Sequence, residues 1–235
     1  MPRQSGNVLF LILIAVALFA ALSYAVTSST RSGGGSASKE KAKANAAAIV
    51  QYAATLRSGI QRMKINNGCI DTGLEFNNSV FQRNDGTATN TANINAPFDK
   101  SCNLFDPAGG GMIPVVPGPD SLDLATVNNT GNSSKTGHGG FRVVEIQDIG
   151  SSADDLVFII SYLNKATCMA INDLLGVENL SNDAPAITNS GTLSSYVNGS
   201  IATSSQYNNL AINGKVGFCS YAVNNYRFVY TMIDL

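Results

Sequence analysis

Residues 3–26 read "RQSGNVLFLILIAVALFAALSYAV", and the fate of this stretch decides how the rest of the chain is organised. Apolar side chains run unbroken from Val8 to Leu22, and only Ser23 and Tyr24 interrupt the stretch to Val26. As a helix it is about 28 Å long at ~1.5 Å per residue, just enough for the hydrocarbon core of a bilayer. Three readings are open. A secretory signal would use the small positive n-region at Arg3 and be cut after Ser23-Tyr24-Ala25, before Val26. A plain membrane anchor would keep the segment. Arg31, Lys39, Lys41 and Lys43 behind it then weigh toward a cytoplasmic domain, although long domains often override that bias. In the third reading the segment is a retained stalk through which subunits assemble.

The next residues help to choose. After "TSSTRSGGGS" (27–36) comes "ASKEKAKANAAAIVQYAATLRSGIQRMKINNG" (37–68). Ala46, Ile49, Ala53, Leu56, Ile60 and Met63 recur at alternating steps of three and four, which places them on one stripe of a helix. Ser36 or Ser38 can cap its start, and Asn66-Asn67-Gly68 ends it. Gly59 is a weak point inside, costing about 1 kcal/mol relative to Ala. Gly33-Gly34-Gly35 predicts a break between the two helical segments, 7–32 and 33–66. The order is therefore apolar helix, glycine joint, amphipathic helix, then a globular region over 67–235.

Composition narrows the class. Only 13% of the 235 residues are charged, against roughly 25% in an average soluble protein. Asn, Ser, Thr and Gly make up the difference, a balance that suits an exported or surface protein. The net charge is −1, so no general basic field attracts nucleic acid. The one basic cluster, "KEKAK" at 39–43, reads as the solvated start of a helix. Cys69, Cys102, Cys168 and Cys219 lie too far apart for a zinc knuckle or a thioredoxin motif. An even count in an exported chain favours two disulfides, and spacing alone leaves the pairing open. A Cys69–Cys102 bridge would close a loop of about 30 residues and add ~3 kcal/mol by chain entropy.

Within the globular region, 67–140 reads as long loops with short extended pieces, rich in Gly, Pro, Asn and Thr. The pattern then sharpens. "FRVVEI" (141–146) is a strand. Leu156–Leu163 is a second strand running into a helix at about Ala166–Leu175, capped by Asn164 and ended by Gly176; one long helix is the alternative. Cys168 falls on the apolar stripe with Ile171 and Leu175 and should face inward. The last residues, "GFCSYAVNNYRFVYTMIDL" (217–235), form a hairpin with Asn224-Asn225 as its two-residue turn. That turn sets Val223 opposite Tyr226, Tyr221 opposite Phe228 and Cys219 opposite Tyr230, all on one buried face. Cys219 then points to the core, where Cys168 could meet it.

Two groups of these residues carry a family resemblance. A short leader ending in Gly6 before a long apolar helix resembles the signal of type IV pilins and pseudopilins. The strand, the Cys-bearing helix "LNKATCMAINDLL" and a partner cysteine on a late strand resemble type IVb pilin heads. The match covers roughly the first 66 residues and 141–235. It implies an α+β, pilin-like fold: a long N-terminal helix packed on an antiparallel-sheet head. It also implies a leader (1–6) cut between Gly6 and Asn7 by a prepilin peptidase. Val8, Leu11, Ile14, Leu18 and Leu22 would lie in the membrane and then in contact with other pilin-like subunits. Disulfides Cys168–Cys219 and Cys69–Cys102 follow from the same comparison, as does a single-pass inner-membrane protein with an extracytoplasmic head, later an extracellular filament. Asn7 replaces the usual Phe or Met. Leu11 stands where the family carries a glutamate, as in minor, often tip-located, pseudopilins. Without the resemblance the chain reads as a secreted periplasmic or surface binding domain beginning at Val26.

No enzyme chemistry assembles. Ser36-Ala37-Ser38-Lys39, Lys135-Thr136-Gly137 and Tyr196-Val197-Asn198 match penicillin-binding elements singly, but their order in the chain is wrong. His138 is the only histidine and sits in the loop "KTGHGG". "DPAGGG" (106–111) lacks the ending of a phosphate loop. Asp154-Asp155 and Asp120 with Asp123 could join loop carbonyls around calcium, but no ligand pattern is present. No cofactor and no metal is expected. Sequons at Asn128 and Asn198 are those of an Asn-rich chain.

Overall fold

The structure, a computed structural model, describes residues 6–78, 80–81, 93–123, 139–146, 155–187, 194–195, 206–207, 209–222 and 225–234. Lys135–His138, Asp154, 196–198 and Asn128 lie outside these. The fold is α+β. Helix α1 spans Gly6–Asn66. Strands β1 (Gly139–Ile146) and β2 (Asp155–Leu163) lead to helix α2 (Lys165–Leu175), and after the short β3 (Ser194–Ser195) and β4 (Gln206–Tyr207) come β5 (Gly217–Ala222) and β6 (Asn225–Ile233). The longer strands form an antiparallel sheet in the order β1-β2-β6-β5; β3 pairs antiparallel and β4 parallel with β1. Met1–Lys41 and Ala42–Leu235 form separate compact units.

The stripe read from the sequence is the buried face of α1. Ala46, Ala53, Leu56 and Ile60 are wholly buried, with Ile49 and Met63 nearly so. Leu56 and Ile60 each contribute roughly 1.5–3 kcal/mol on burial. The helix ends as expected: Asn66 is its last residue, Gly68 takes a positive φ of 66°, and the amides of Asn67 and Cys69 donate to the Met63 carbonyl. Gly59 has a packing role that propensity did not show. A Cβ there would stand 3.0 Å from Leu104 Cδ1 and 3.1 Å from Met112 Cγ, so the glycine admits the 104–112 segment close to the helix.

One expectation fails at the glycines. Helical backbone runs through Gly33, Gly34 and Gly35, where a break is predicted. Glycine weakens a helix by about 1 kcal/mol per residue but keeps its amide donor, so it does not terminate a helix that is propagated from both sides.

The sheet buries both faces. On one, Leu156, Phe158, Ile160, Cys219 and Phe228 join the α1 stripe with Cys168 and Ile171 of α2. The stretch before β1 supplies Leu74, Phe76, Phe81 and Leu104 to this same core. Phe76 stacks on Phe141 at 3.9 Å, and Phe81 meets Phe158 edge-on at 5.5 Å. On the other face Val157, Ile159, Phe218 and Val229 pack with Val177, Ile187, Tyr207 and Ile212. The glycine triplet at 109–111 is a tight return. A Cβ on Gly109 would lie 2.2 Å from the Asn103 carbonyl oxygen, and one on Gly110 would lie 2.4 Å from that of Leu104.

Helix α2 matches its signals. The Asn164 side chain accepts from the Thr167 amide, and Gly176 closes the helix in the left-handed region. The hairpin forms in a different register. Ala222 pairs with Asn225, Tyr221 with Tyr226, and Cys219 with Phe228 instead of Tyr230. Val223 and Asn224 lie outside the described residues. The cause is tertiary: Tyr162 sits in a bulge of β2 with φ 61°, and its amide donates to Asn225 Oδ1 at 2.6 Å. Asn225 is thereby held in the ladder, not in the turn. The pairing slides by two residues, so the described side chains keep their predicted faces. Gly217, not Cys219, faces the Tyr230 ring, where a Cβ would come within 2.6 Å.

Candidate functional site: the N-terminal helix and the tied head

Gly6 is the first residue of α1 and Asn7 the second. Val8, Leu11, Ile14, Leu18 and Leu22 all lie on it, and the side chains of Val8, Leu11 and Leu22 are outside the described residues. Ile14, Val16, Leu18 and Phe19 are exposed, by 42%, 61%, 66% and 73%. At ~100° per residue Ile14 and Leu18 share one side of the helix, while Val16 and Phe19 lie about 200° and 140° round from Ile14, so the exposed apolar surface is not one stripe. Among the described residues, no helix is long and apolar enough to cross a membrane.

In the head, disulfides join Cys69 to Cys102 and Cys168 to Cys219, with Cα atoms 5.7 and 5.4 Å apart. Each tie has a polar companion that sequence reasoning missed. Beside the second, Asn172 of α2 is wholly buried. Its Nδ2 donates to the Cys219 carbonyl at 2.9 Å, and its Oδ1 accepts from the Cys219 amide at 2.7 Å. Strand β5 is a sheet edge, and these bonds fill its outward groups as a neighbouring strand would. At Tyr221 the chain itself does so: the Tyr221 amide donates to the Pro185 carbonyl and the Ile187 amide to that of Tyr221. An edge so covered is closed to strand addition. Beside the first tie, buried Asn93 donates to the carbonyls of Thr72 and Leu74 at 2.7 and 2.8 Å. In a chain this rich in Asn nothing marked these two.

The second part of α1 is tied to the 100–115 segment by polar groups. Tyr52 Oη donates to the Ile113 carbonyl and accepts from the Val115 amide, both at 3.0 Å. Burial pushes the Tyr52 hydroxyl up to about 12, with the Val115 amide opposing. Arg62 donates to the Gly110 carbonyl and Asn67 to that of Ser101. A groove of about 190 Å³ lies here, lined by Asn45, Ile49, Tyr52, Val116, Pro117 and Ile160 among others.

At the start of α2, Asp183 accepts from Lys165 Nζ at 2.9 Å and from Tyr226 Oη at 2.8 Å. Burial raises the Asp183 carboxyl, but the Lys165 and Tyr226 hydrogen bonds and the Ala184 amide together hold it below its ordinary value. Burial and then the Asp183 carboxylate push the Tyr226 hydroxyl up to about 12. Among the described residues no group of three or more His, Cys, Asp or Glu could hold a metal ion. Asp155 is wholly buried at the start of β2.

No protein-family model matches the chain, and searches of curated proteins and of solved structures return no match.

Proposed function

We propose that the protein is a non-enzymatic, membrane-anchored, type IV pilin-like subunit of a pilus or secretion pseudopilus, assembling through α1. One observation carries this reading: the same helix has an unbroken apolar run over Val8–Leu22 and buries a single stripe in an α+β head over Ala46–Met63. A helix that is apolar all round needs lipid or other helices as its surroundings. The two disulfides support an extracytoplasmic head, since disulfides persist in oxidising compartments. In this reading the segment holds the subunit in the inner membrane, a prepilin peptidase cuts between Gly6 and Asn7, and the helix then packs among neighbouring subunits. Leu11 places an apolar contact where a carboxylate would otherwise dock, which suits a minor or tip subunit. N-terminal sequencing of protein from its native host tests the proposal. A mature start at Asn7 is expected; a start at Val26 would overturn it in favour of a secreted binding domain.

A further inference from the structure

Beside the Cys69–Cys102 tie, the head carries a second concavity of about 320 Å³ that differs in character from the groove along α1. Its walls are polar: Glu75 and Asn77 on one side, Lys100, Asn103 and Asp106 on the other, with the half-buried ring of Phe105 at the border. We propose that this cleft binds a neutral saccharide of one or two sugar units.

The charges set the ligand class. Lys100 Nζ lies 3.5 Å from Asp106 Oδ2, and Glu75 Oε2 accepts from Asn103 Nδ2 at 3.2 Å. A cation entering the cleft would meet the Lys100 ammonium, and an anion would meet two carboxylates. A neutral polyol meets neither penalty. Its paired hydroxyls both donate and accept, and the cleft offers both kinds of partner: carboxylate oxygens, an ammonium and side-chain amides. Among the described residues the Asn77 amide makes no hydrogen bond, so its two donors and its carbonyl stand available for a ligand. The Phe105 ring supplies the apolar surface on which the C–H face of a sugar can rest.

The walls are fixed before any ligand arrives. The Glu75 amide donates to the Cys102 carbonyl and the Leu104 amide to that of Glu75, both at 2.9 Å, directly beside the disulfide. Asn78 Oδ1 accepts from the amides of Val80 and Phe81, and Asn103 Oδ1 from the Phe105 amide. The Phe105 ring is held edge-on by Phe81 and Phe141, at 5.7 and 6.1 Å. A rigid cleft spends little of its binding energy on ordering itself. The inference does not depend on the filament reading.

The test is saturation-transfer NMR and calorimetry on the full chain in a detergent without a sugar headgroup. The probes are the methyl glycosides of glucose, galactose, mannose and N-acetylglucosamine, then disaccharides of those that bind. Saturation transfer to at least one probe is expected. Asn77→Ala should weaken binding about tenfold, the loss of one hydrogen bond to a polar partner. Lys165→Ala, whose side chain pairs with Asp183 and does not line the cleft, should leave binding unchanged. Among the described residues Asn77 makes no side-chain hydrogen bond, so its variant reports on the cleft and not on stability. Absence of transfer from every probe, or binding unaltered in Asn77→Ala, overturns the proposal, as does displacement of a bound sugar by calcium or phosphate alone.

Discussion

Replacing Asn172 by Ala tests how the C-terminal edge of the sheet is held. The wild-type side chain makes bonds of 2.7 and 2.9 Å to the two backbone groups of Cys219 and a third, at 2.9 Å, to Asn179 Oδ1. Both Asn172 and Cys219 are wholly buried. Alanine removes the partners and leaves an amide and a carbonyl buried without them, each costing about 1–3 kcal/mol. The expected loss is about 3 kcal/mol, after allowing for partial relief by entering water. Asn172→Asp keeps the acceptor for the Cys219 amide but sets a second acceptor against the Cys219 carbonyl, so it should lose a similar amount. For a head of this size a loss of about 3 kcal/mol lowers Tm by roughly 6–12 °C. Urea titration of the disulfide-intact chain measures the loss, and hydrogen exchange at the Cys219 amide locates it. An Asn172→Ala variant within about 0.5 kcal/mol of wild type, with the Cys219 amide still protected, would refute the reasoning.

Other outcomes are equally specific. Gly109→Ala should destabilise by about 2–4 kcal/mol, because its Cβ would fall 2.2 Å from the Asn103 carbonyl oxygen and backbone would have to move; a chemical melt checks this. On the proposed membrane-anchored reading, Ile14→Asp together with Leu18→Asp should shift the protein from the membrane fraction to the soluble one, since each acid would cost about 2.5–3.5 kcal/mol within a membrane helix. At high pH, Tyr52 and Tyr226 stay neutral in the fold to about 12 whereas unfolded tyrosines ionise near their ordinary 10. The stability they give is therefore full below about pH 10 and is lost as pH rises through about 12, and Tyr52→Phe with Tyr226→Phe should flatten that limb of a stability–pH curve. At low pH the sign reverses. Asp183 is held below its ordinary value, so its contribution is present above about pH 4 and is lost as pH falls through the folded value; Asp183→Asn should remove this part of the acid dependence.

The sequence by itself determined the elements whose signals are local. The α1 stripe from Ala46 to Met63 is legible because helical period and burial coincide, and α2 because Asn164 and Gly176 are caps that act within a few residues. The strand faces of the hairpin are legible because alternation survives a slide of two residues. The cysteine pairing was implied by resemblance rather than by spacing, and the structure contains that pairing. Tertiary structure decided the rest. The hairpin register depends on a bulge at Tyr162, more than 60 residues from its partner Asn225. The second buried face exists because Val177, Ile187, Tyr207 and Ile212 return over the sheet. The 67–123 stretch, which reads as loops, places Phe76, Phe81 and Leu104 in the main core. The polar cleft and the Asn172 clamp have no sequence signal, because a buried or ligand-facing Asn looks like any other among many. Local rules fix what a residue's near neighbours dictate; a long-range hydrogen bond or a close backbone approach is set only when distant segments meet.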